Sequence, residues 1–592
     1  MSLIRKTTRT LKPFKLSLLS VLIGFVAGMG AVAFRALIAL FHNLLFLGKL
    51  SFSYDANAHT ARGPWGPLII FVPVIGAAGV AFLVKNFAPE AKGHGVPEVM
   101  DAIYYGKGVI RPVVALIKSL ASALSIGSGG SIGREGPIIQ IGSSFGSTLG
   151  QILRVPIWQR ITLIAAGAGG GIAATFNTPI GGVLFAAEIM MHEVSARTLV
   201  PVAIATATAT YTGRFFFGPH PSFVIPEIQS FQVHTAKPLV LFSYVGLGLI
   251  MGGVSTLFIK SIYGFEDIFE KRIKGNYYFQ HMSAMFVVGA LMYGMMSFFG
   301  HYYIEGVGYS TIQDVLSGQQ SAFYLLLLLF VLKLLATSLT LGSGASGGVF
   351  SPALFLGATS GAAYGVVLKD WFPHLGISPS AFAVVGMAGA VGGATGAAMA
   401  SIVMIFEMTL DYSVIVPLTI VVAISYAVRR AFTSDSIYTL KLTLRGDRVP
   451  EAMQADIQIL RRAGEIMETK ITAVPARTPL HEFIRSLSAG SSAYAFLVTN
   501  EAGIVAGVVT RERLKALEQF SPTIVLGDVA YQDFVLVREE TVFFEIIKEM
   551  RSVQASLALV TAASNPPPAS EIKGVITREE IIDFLAAGRE LF

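Results

Sequence analysis

The stretch Gly133-Arg134-Glu135-Gly136-Pro137 places two opposite charges side by side in a glycine-rich turn, inside a long apolar part of the sequence. An ionisable side chain at membrane depth is energetically unfavourable and therefore indicates a functional site. A local ion pair between Arg134 and Glu135 explains the turn poorly, because adjacent residues of a helix do not face each other. We interpret Glu135 as a functional carboxylate and the Arg134 side chain as structural.

Four short turns of the apolar region share the chemistry of an anion site. A broken helix leaves its first backbone N–H groups without partners, and these groups bind anions without any charged side chain. Glycine also lets the backbone approach the ion closely. Together the turns predict one dehydrated anion surrounded by N–H groups and a tyrosine hydroxyl. They are Lys92–Glu98, Gly133–Pro137, Gly347–Pro352 and Ser434–Leu440.

The elements that carry these turns are predicted to be membrane helices. Of the 592 residues, 53% are hydrophobic and 14% are charged, and apolar runs repeatedly reach the length of about 20 residues that crosses a bilayer. Residues 446–592 differ, with 15 basic and 20 acidic side chains, a charge density typical of soluble domains. We predict a transmembrane domain at residues 1–440, a linker at 441–463 and a soluble module at 464–592.

The N-terminal residues 1–15 are basic, and no cleavage site follows the first apolar run. This pattern predicts a retained first helix with its N-terminus in the cytoplasm. We therefore expect a multi-pass protein of the inner or plasma membrane, with lipid as a partner and both termini cytoplasmic. The chain has no cysteine, so disulfides are excluded.

The membrane part contains two copies of one sequence pattern. The segment GSGGSIGREGPIIQIGSSFGS from Gly127 aligns with GSGASGGVFSPALFLGATSGA from Gly342, and Glu188 aligns with Glu407. Two copies of one unit, often inverted, are typical of transporters, whose broken helices meet at the repeat interface. We interpret Glu188 and Glu407 as structural mates that satisfy helix ends.

The motifs GREGP and GGVFSP, the turn before them, the repeat and the tail together resemble the CLC family of chloride channels and proton–chloride antiporters. The resemblance implies a polytopic all-α membrane fold with two inverted repeats and broken helices, followed by a soluble α/β module. It also implies a homodimer with one pore per subunit, and a gate at Glu135, whose carboxylate occupies an anion site when the pore is closed. The anion, expected to be chloride, would bind at His94, Gly133, Arg134, Gly136, Val349, Phe350 and Tyr438.

The first turn departs from the family pattern, because Gly93-His94-Gly95 stands where the family usually has Gly-Ser-Gly. A neutral imidazole donates one hydrogen bond, as the serine would, whereas a protonated imidazole holds an anion more strongly. We expect His94 to line the pore, with a packing role as the alternative. The preferred anion stays open.

The second departure concerns proton transport. Antiporters of the family carry a second glutamate directly after the position of Glu188, and this chain has Ile189 there. Because an aliphatic side chain carries no proton, we predict a passive gated channel, with a proton-coupled chloride antiporter as the alternative. His192 and Glu193, about one turn further on, are the candidates for the inner proton relay in that alternative.

The tail repeats as well, at about residues 464–520 and 524–592, and its stretches EAGIVAGVVTRERL and EIKGVITREEI resemble a tandem CBS module. The resemblance implies that Thr510, Thr577 and Glu580 hold an adenine nucleotide. Arg513, however, takes the place of the acidic residue in the first repeat. A purely structural module that stabilises a dimer is the alternative, and no cofactor is required for transport.

Other function classes fit the sequence poorly. His192-Glu193 begins a metalloprotease-like pattern, but Ala196 stands where the second histidine must be. The chain has no Walker phosphate-binding loop. We therefore predict no enzyme, no resident metal and no nucleic-acid partner. A membrane sensor without ion flux is the remote alternative.

Overall fold

The computed structural model describes residues 10–191, 195–220, 222–223, 238–447, 462–487, 493–516, 524–541, 543–562 and 566–581. The chain forms two compact units, Met1–Val449 and Pro450–Phe592. The described part of the first unit is helical, and the second unit combines short helices with two sheets.

The helices of the first unit vary widely in length, as expected for a fold with partial and tilted helices. They are α1 Pro13–Leu47, α2 Val72–Phe87, α3 Val96–Tyr104, α4 Pro112–Gly127, α5 Glu135–Ile152, α6 Ile157–Phe176, α7 Pro179–Phe185, α8 Ala196–Phe217, α9 Pro238–Lys271, α10 Tyr277–Phe299, α11 Tyr309–Leu316, α12 Phe323–Gly342, α13 Phe350–Trp371, α14 Pro379–Thr395, α15 Ala398–Thr409, α16 Ile415–Phe432 and α17 Thr439–Arg445. A π-helical turn, Ala186–Met191, continues α7.

Seven helices in the described part of the chain are long and apolar enough to cross a membrane. The outer surface of this unit carries large apolar side chains, including Phe215, Phe298 and Tyr324, each more than 80% exposed. An extensive exposed apolar surface is typical of proteins embedded in lipid. The first unit is therefore a polytopic membrane domain.

Two equivalent glycine crossings hold the shorter helices together. A Cβ atom on Gly142 of α5 would lie 2.1 Å from the carbonyl oxygen of Gly167 of α6. A Cβ atom on Gly357 of α13 would lie 2.3 Å from the carbonyl oxygen of Gly386 of α14. Small residues let membrane helices approach this closely, so both copies of the repeat use the same packing device.

Reciprocal contacts relate the two copies of the repeat. Glu188 of the first copy accepts hydrogen bonds from two N–H groups at the start of α15, the shorter one from Ala400 at 2.7 Å. Glu407 of the second copy accepts the equivalent pair at the start of α7, the shorter one from Gly181 at 2.7 Å. Such an exchange of contacts is the signature of a two-fold relation. Both carboxylates satisfy helix ends, which is the structural role predicted for them.

The second unit contains two three-stranded sheets of identical topology. In each sheet the first strand is parallel to the second, which is antiparallel to the third. The elements are α18 Ala463–Ile466, β1 Ile471–Pro475, α19 Leu480–Leu487, β2 Ala495–Thr499, β3 Val505–Thr510, α20 Arg511–Ala516, α21 Leu526–Val529, β4 Phe534–Val537, α22 Phe543–Ser552, β5 Leu557–Thr561 and β6 Ile572–Thr577.

The two sheets share one apolar cluster, to which Leu497 and Val508 contribute from one sheet and Leu559 and Val575 from the other. The repeat seen in the tail sequence is thus a repeat of structure. Helix α17 of the first unit continues across the predicted boundary at residue 440. Most of the predicted linker, at residues 448–461, lies outside the described residues.

Candidate functional site

Three of the four predicted turns meet at the centre of the membrane domain. The N–H of Gly93 donates to the carbonyl of Ala345 at 2.9 Å, and the N–H of Gly347 donates to the carbonyl of Gly93 at 3.2 Å. Gly133 and Gly348 exchange two hydrogen bonds of 2.7 and 2.6 Å. Because Gly133 and Gly348 are equivalent in the two copies, the two-fold relation passes between them.

The glycines at this junction leave no space for side chains. A Cβ atom on Gly133 would lie 2.0 Å from Oε2 of Glu135, and one on Gly136 would lie 2.0 Å from the carbonyl oxygen of His94. The backbone approach required at an anion site is thus present here. It also joins the first turn, which carries His94, to the start of α5, which carries Glu135.

The Glu135 carboxylate lies at the N-terminal end of α13. It is buried, with 1% of its surface exposed, and its Oε2 accepts a hydrogen bond of 3.3 Å from the N–H of Ser351. The Tyr309 hydroxyl donates to Oε1 at 2.8 Å, and the Ser351 hydroxyl donates to the same oxygen. A helix N-terminus carries partial positive charge and unpaired N–H groups, so this carboxylate occupies a position suited to an anion.

Val349 and Phe350 are buried at the start of the same helix. These two residues are the predicted donors, whereas the N–H that contacts Glu135 belongs to the next residue, Ser351. Because Glu135 lies at this end of α13, its departure would uncover the beginning of the helix. In this structure the carboxylate therefore occupies the start of the helix.

Arg134 and Glu135 are both described by the structure, and their side chains form no ion pair with each other. Its guanidinium carbon lies 5.0 Å from the centre of the Tyr309 ring, a cation–π contact. Its Nε is buried, with no hydrogen-bond partner in the part of the chain that the structure describes. The geometry thus disfavours the local pairing that was the alternative explanation of the Arg134–Glu135 pair.

The rings of His94 and Tyr438 lie next to each other, with their centres 6.1 Å apart. Both side chains are buried. The Nε2 atom of His94 lies 3.3 Å from the hydroxyl of Tyr263, and that hydroxyl donates to the carbonyl of Ile437 at 2.6 Å. The fourth turn is therefore connected to the first through Tyr263, a residue that the sequence analysis did not select.

The predicted inner proton relay involves Ile189 and the two candidates that follow it, His192 and Glu193. Ile189 is buried, with 5% of its surface exposed, in the π-helical turn after α7. His192 and Glu193 lie outside the described residues. The neighbouring Glu188 has both oxygens engaged by N–H groups of α15, so its carboxylate is already used as a helix cap.

The predicted nucleotide residues of the second unit form a local helix cap. The N–H of Thr577 donates to Oε2 of Glu580 at 2.7 Å, and the N–H of Glu580 donates to the Thr577 hydroxyl at 3.1 Å. This reciprocal pair is a capping box. Burial raises the pKa of Glu580 to about 7, a rise supported by the Glu468 carboxylate and opposed by the Thr577 N–H.

The equivalent position in the first CBS repeat has half of this arrangement. The N–H of Arg513 donates to the Thr510 hydroxyl at 3.3 Å. The Arg513 guanidinium carbon lies 3.8 Å from the centre of the Tyr531 ring. Nucleotide binding by Thr510, Thr577 and Glu580 stays a prediction.

Comparison with protein families decides the identity of the fold. A family model described as voltage gated chloride channel matches residues 76–430, and a CBS domain model matches residues 463–517. The chain belongs to the CLC family. The predicted family, the helical membrane fold and the CBS module are confirmed.

Individual relatives agree with the CLC assignment. A putative chloride channel protein ClcB-like of Ralstonia nicotianae is 32% identical over 404 residues, 66% of this chain and 90% of the relative. An H(+)/Cl(-) exchange transporter ClcA of Cronobacter sakazakii is 30% identical over 424 residues, 70% of this chain and 86% of the relative. The crystal structure of a slow cyanobacterial Cl−/H+ antiporter is similar with a TM-score of 0.64 and 25% identity, covering 74% of this chain and 99% of that one.

The CLC assignment makes this chain an integral membrane protein of an anion-transport family, which points to transport and not to an enzyme.

Two residues that contact Glu135 were missed from the sequence, namely Tyr309 and Ser351. A signal for Tyr309 was present, because Gly306-Val307-Gly308 is the second-copy counterpart of Gly93-His94-Gly95 and directly precedes it.

Proposed function

We propose that this CLC protein exchanges chloride for protons across the membrane, the alternative that the sequence analysis placed second. The observation that carries this proposal is the buried Glu135 carboxylate at the N-terminal end of α13. An ionised carboxylate competes there with an anion, whereas a protonated carboxylic acid loses its attraction to the helix end. One side chain therefore links proton binding to anion passage. Relatives described as proton–chloride exchangers support this choice.

The proposed anion pathway runs through the junction of the turns. The backbone at Gly133, Arg134 and Gly136 lines its outer part. The first N–H groups of α13, at Val349 and Phe350, are proposed to bind the central anion together with the Tyr438 hydroxyl. His94 borders the same position. Burial of these groups supports the proposal, because hydrogen bonds to an ion are stronger where water is excluded.

The proposed assembly is a homodimer in the inner or plasma membrane, with one pathway in each subunit and both termini in the cytoplasm. The CBS module lies after the last membrane helix and is proposed to regulate or stabilise the dimer. An adenine nucleotide is its proposed ligand, since each repeat presents a threonine as the last residue of its third strand.

A passive channel is the second candidate function. Buried Ile189 favours it, because a proton has no side-chain carrier at that position, and one relative is described as a putative chloride channel protein. A sensor without flux is the third and most remote candidate. These functions predict different fluxes from the same preparation.

Purified protein in liposomes distinguishes the three candidates. For an exchanger, an outward chloride gradient drives proton uptake against a pH gradient, and the reversal potential depends on both ions. For a channel, the reversal potential follows chloride alone, and a sensor carries no current. The Glu135→Gln variant is the control, because a neutral amide mimics the protonated gate. Chloride flux with loss of proton uptake in this variant supports exchange through Glu135.

A further inference from the structure

His94 lines a small cleft in the membrane domain. The cleft is lined by Lys92, His94, Glu98, Glu266 and Lys441, among others. Lys441 belongs to α17, after which the chain continues to the CBS module, so the cleft opens on the side predicted to be cytoplasmic. Charged side chains of both signs therefore connect the solvent on that side with a buried histidine.

The hydrogen bonds around His94 determine which ring nitrogen carries the proton. The Tyr263 hydroxyl has a single proton and donates it to the carbonyl of Ile437. It must therefore accept from His94, whose Nε2 lies 3.3 Å away. In the neutral ring the proton is on Nε2, and Nδ1 carries a lone pair. That Nδ1 is buried and has no hydrogen-bond partner among the described residues.

This assignment changes the expected role of His94. From the sequence, a neutral imidazole is expected to donate a hydrogen bond to the anion, as a serine would. The one donor of the neutral ring is already used by Tyr263, so an anion at Nδ1 would face a lone pair. Only a ring protonated at Nδ1 offers a second donor.

Charges around His94 make that second proton dependent on an anion. Lys118, Lys441 and Arg445 all act electrostatically on the ring. Lys441 pairs with Glu266, and Arg445 donates to one oxygen of Glu98 at 2.6 Å. Within the described part of the chain, the other oxygen of Glu98 is buried and has no hydrogen-bond partner. A protonated ring adds positive charge to this group, and a neighbouring anion offsets it.

We infer that His94 is the inner proton-binding site of the exchange cycle, and that it takes up a proton at Nδ1 together with an anion. This inference rests on the proposed exchange function and supplies the inner proton carrier that Ile189 does not. Glu98 and Glu266 lie in the cleft on the way to His94, and the unpaired oxygen of Glu98 is the carrier before it. The anion and the proton thus reach the site through the same cleft.

The proton step needs no further reagent. An O–H bond of hydronium, or of protonated Glu98, breaks and an N–H bond forms at Nδ1 of His94. That N–H bond later breaks, and an O–H bond forms on the Glu135 carboxylate. The two residues belong to adjoining segments, because the carbonyl of His94 lies against Gly136, directly after Glu135.

The first experiment measures proton uptake on anion binding. Chloride is titrated calorimetrically into the full-length Glu135→Gln protein, in two buffers of different ionisation enthalpy, at about pH 6.5, the ordinary titration range of histidine. The Glu135→Gln background removes the gate as a proton acceptor. We expect a net proton uptake per bound chloride, and its loss in Glu135→Gln/His94→Asn, since the amide retains a donor without titrating. Equal proton uptake in both proteins would overturn the inference.

The second experiment measures coupled flux in liposomes with the wild type, His94→Ser and His94→Asn. We expect the proton-to-chloride ratio to fall roughly tenfold or more in both His94 variants. His42→Gln is the matched control. His42 of α1 is also buried, its Nδ1 has no hydrogen-bond partner among the described residues, and its Nε2 contacts Thr60. Its ratio should equal that of the wild type.

The outcomes distinguish the proposed exchange function from the proposed role of His94. Absence of proton uptake in the wild type would overturn the proposed exchange function itself. If the wild type exchanges protons for chloride and either His94 variant keeps the same proton-to-chloride ratio, the role of His94 is overturned. The proposed exchange function is then unaffected. Should one variant lose chloride flux or fail to fold, the other serves as the test, and the calorimetric comparison requires no turnover.

Discussion

The Tyr309 hydroxyl donates a hydrogen bond of 2.8 Å to the Glu135 carboxylate, although 174 residues separate the two in the sequence. Tyr309 begins α11 in the second copy of the repeat, and Glu135 begins α5 in the first. The same hydroxyl lies 2.8 Å from the hydroxyl of Ser351. The closed position of Glu135 is therefore supported by the opposite copy of the repeat.

Tyr309→Phe should weaken the closed position. A hydrogen bond to a charged group contributes about 1.5–3 kcal/mol, so its loss shifts Glu135 toward the open position by up to roughly ten- to a hundredfold. We expect faster chloride efflux from liposomes than with the wild type. Initial efflux rates with a chloride electrode provide the measurement.

Tyr303→Phe is the control for this substitution, because Tyr303 is a buried tyrosine of the same segment whose hydroxyl accepts from Gln320. Its efflux should match that of the wild type. An efflux rate of Tyr309→Phe below that of the control, in a folded protein, would show that the hydroxyl does not stabilise the closed gate.

Glu407→Ala should destabilise the membrane domain more than Glu407→Gln. The carboxylate accepts from the N–H groups of Ile180 at 3.0 Å and of Gly181 at 2.7 Å. Alanine leaves both donors without this partner, at about 1–3 kcal/mol each, whereas the amide oxygen of glutamine retains one. Melting temperatures in detergent should follow the order wild type, Glu407→Gln, Glu407→Ala. The reverse order of the two variants would contradict the cap.

Buried lysines in equivalent positions fasten the two glycine turns. Lys118 donates to the carbonyls of Ala91 at 3.0 Å and Gly93 at 2.7 Å. Lys333 donates to the carbonyls of Ile304 at 3.1 Å and Gly306 at 2.9 Å. Both side chains are fully buried. A lysine of the following long helix therefore holds each turn. Lys118 of α4 does so in the first copy and Lys333 of α12 in the second.

Lys333→Met should lower the melting temperature of the protein in detergent, because two buried carbonyls lose their donor at a cost of about 1–3 kcal/mol each. Lys369→Met, on the exposed end of α13, should leave the melting temperature unchanged. Equal melting temperatures of the two variants would mean that the lysine contributes no stabilising hydrogen bonds.

The local features of this fold could be predicted from the sequence. Helix starts at Glu135 and Phe350 follow from a glycine turn with a proline in the first helical turn, a chemistry confined to a few residues. The repeat could also be found, because its two copies preserve glycines and carboxylates at matching positions. The site contacts could not. Tyr309 reaches Glu135 only through the pairing of the two copies, which no short pattern encodes.

The His94 assignment shows a different limit. A histidine in a glycine turn indicates a pore position, but its donor and acceptor roles depend on Tyr263 and Ile437, which are distant in sequence. In the CBS module the limit is ambiguity. The pattern Thr577-x-x-Glu580 suits a nucleotide and a capping box equally well, and in the structure these residues bond to each other.

An adenine nucleotide should raise the melting temperature of the CBS module if its threonines bind ribose and phosphate. A ligand at a hundredfold excess over its dissociation constant stabilises the folded state by about 2.7 kcal/mol. Thermal melting with ATP or AMP, against guanosine nucleotides as the control, provides the measurement. An unchanged melting temperature at millimolar adenine nucleotide would leave the module with the structural role.

The pH dependence of the CBS module should change in Glu580→Gln. The pKa of Glu580 is raised to about 7 by burial and by the Glu468 carboxylate, so the folded module binds this proton more tightly than the unfolded chain. The contribution to stability is complete below about pH 4.5, the ordinary value of the group, and is lost as the pH rises toward 7.

Hydrogen exchange in β6 of the full-length protein, corrected for intrinsic exchange rates, measures this effect. Protection of the wild type should fall between pH 5 and about pH 7.5, and this fall should be smaller in Glu580→Gln, whose amide oxygen still accepts from the Thr577 N–H. Glu549→Gln, on the exposed face of α22, is the control and should behave as the wild type. Glu580→Gln removes the carboxyl group with the raised pKa, and Glu549→Gln does not. The same decrease in protection in all three proteins would therefore exclude Glu580 as its source.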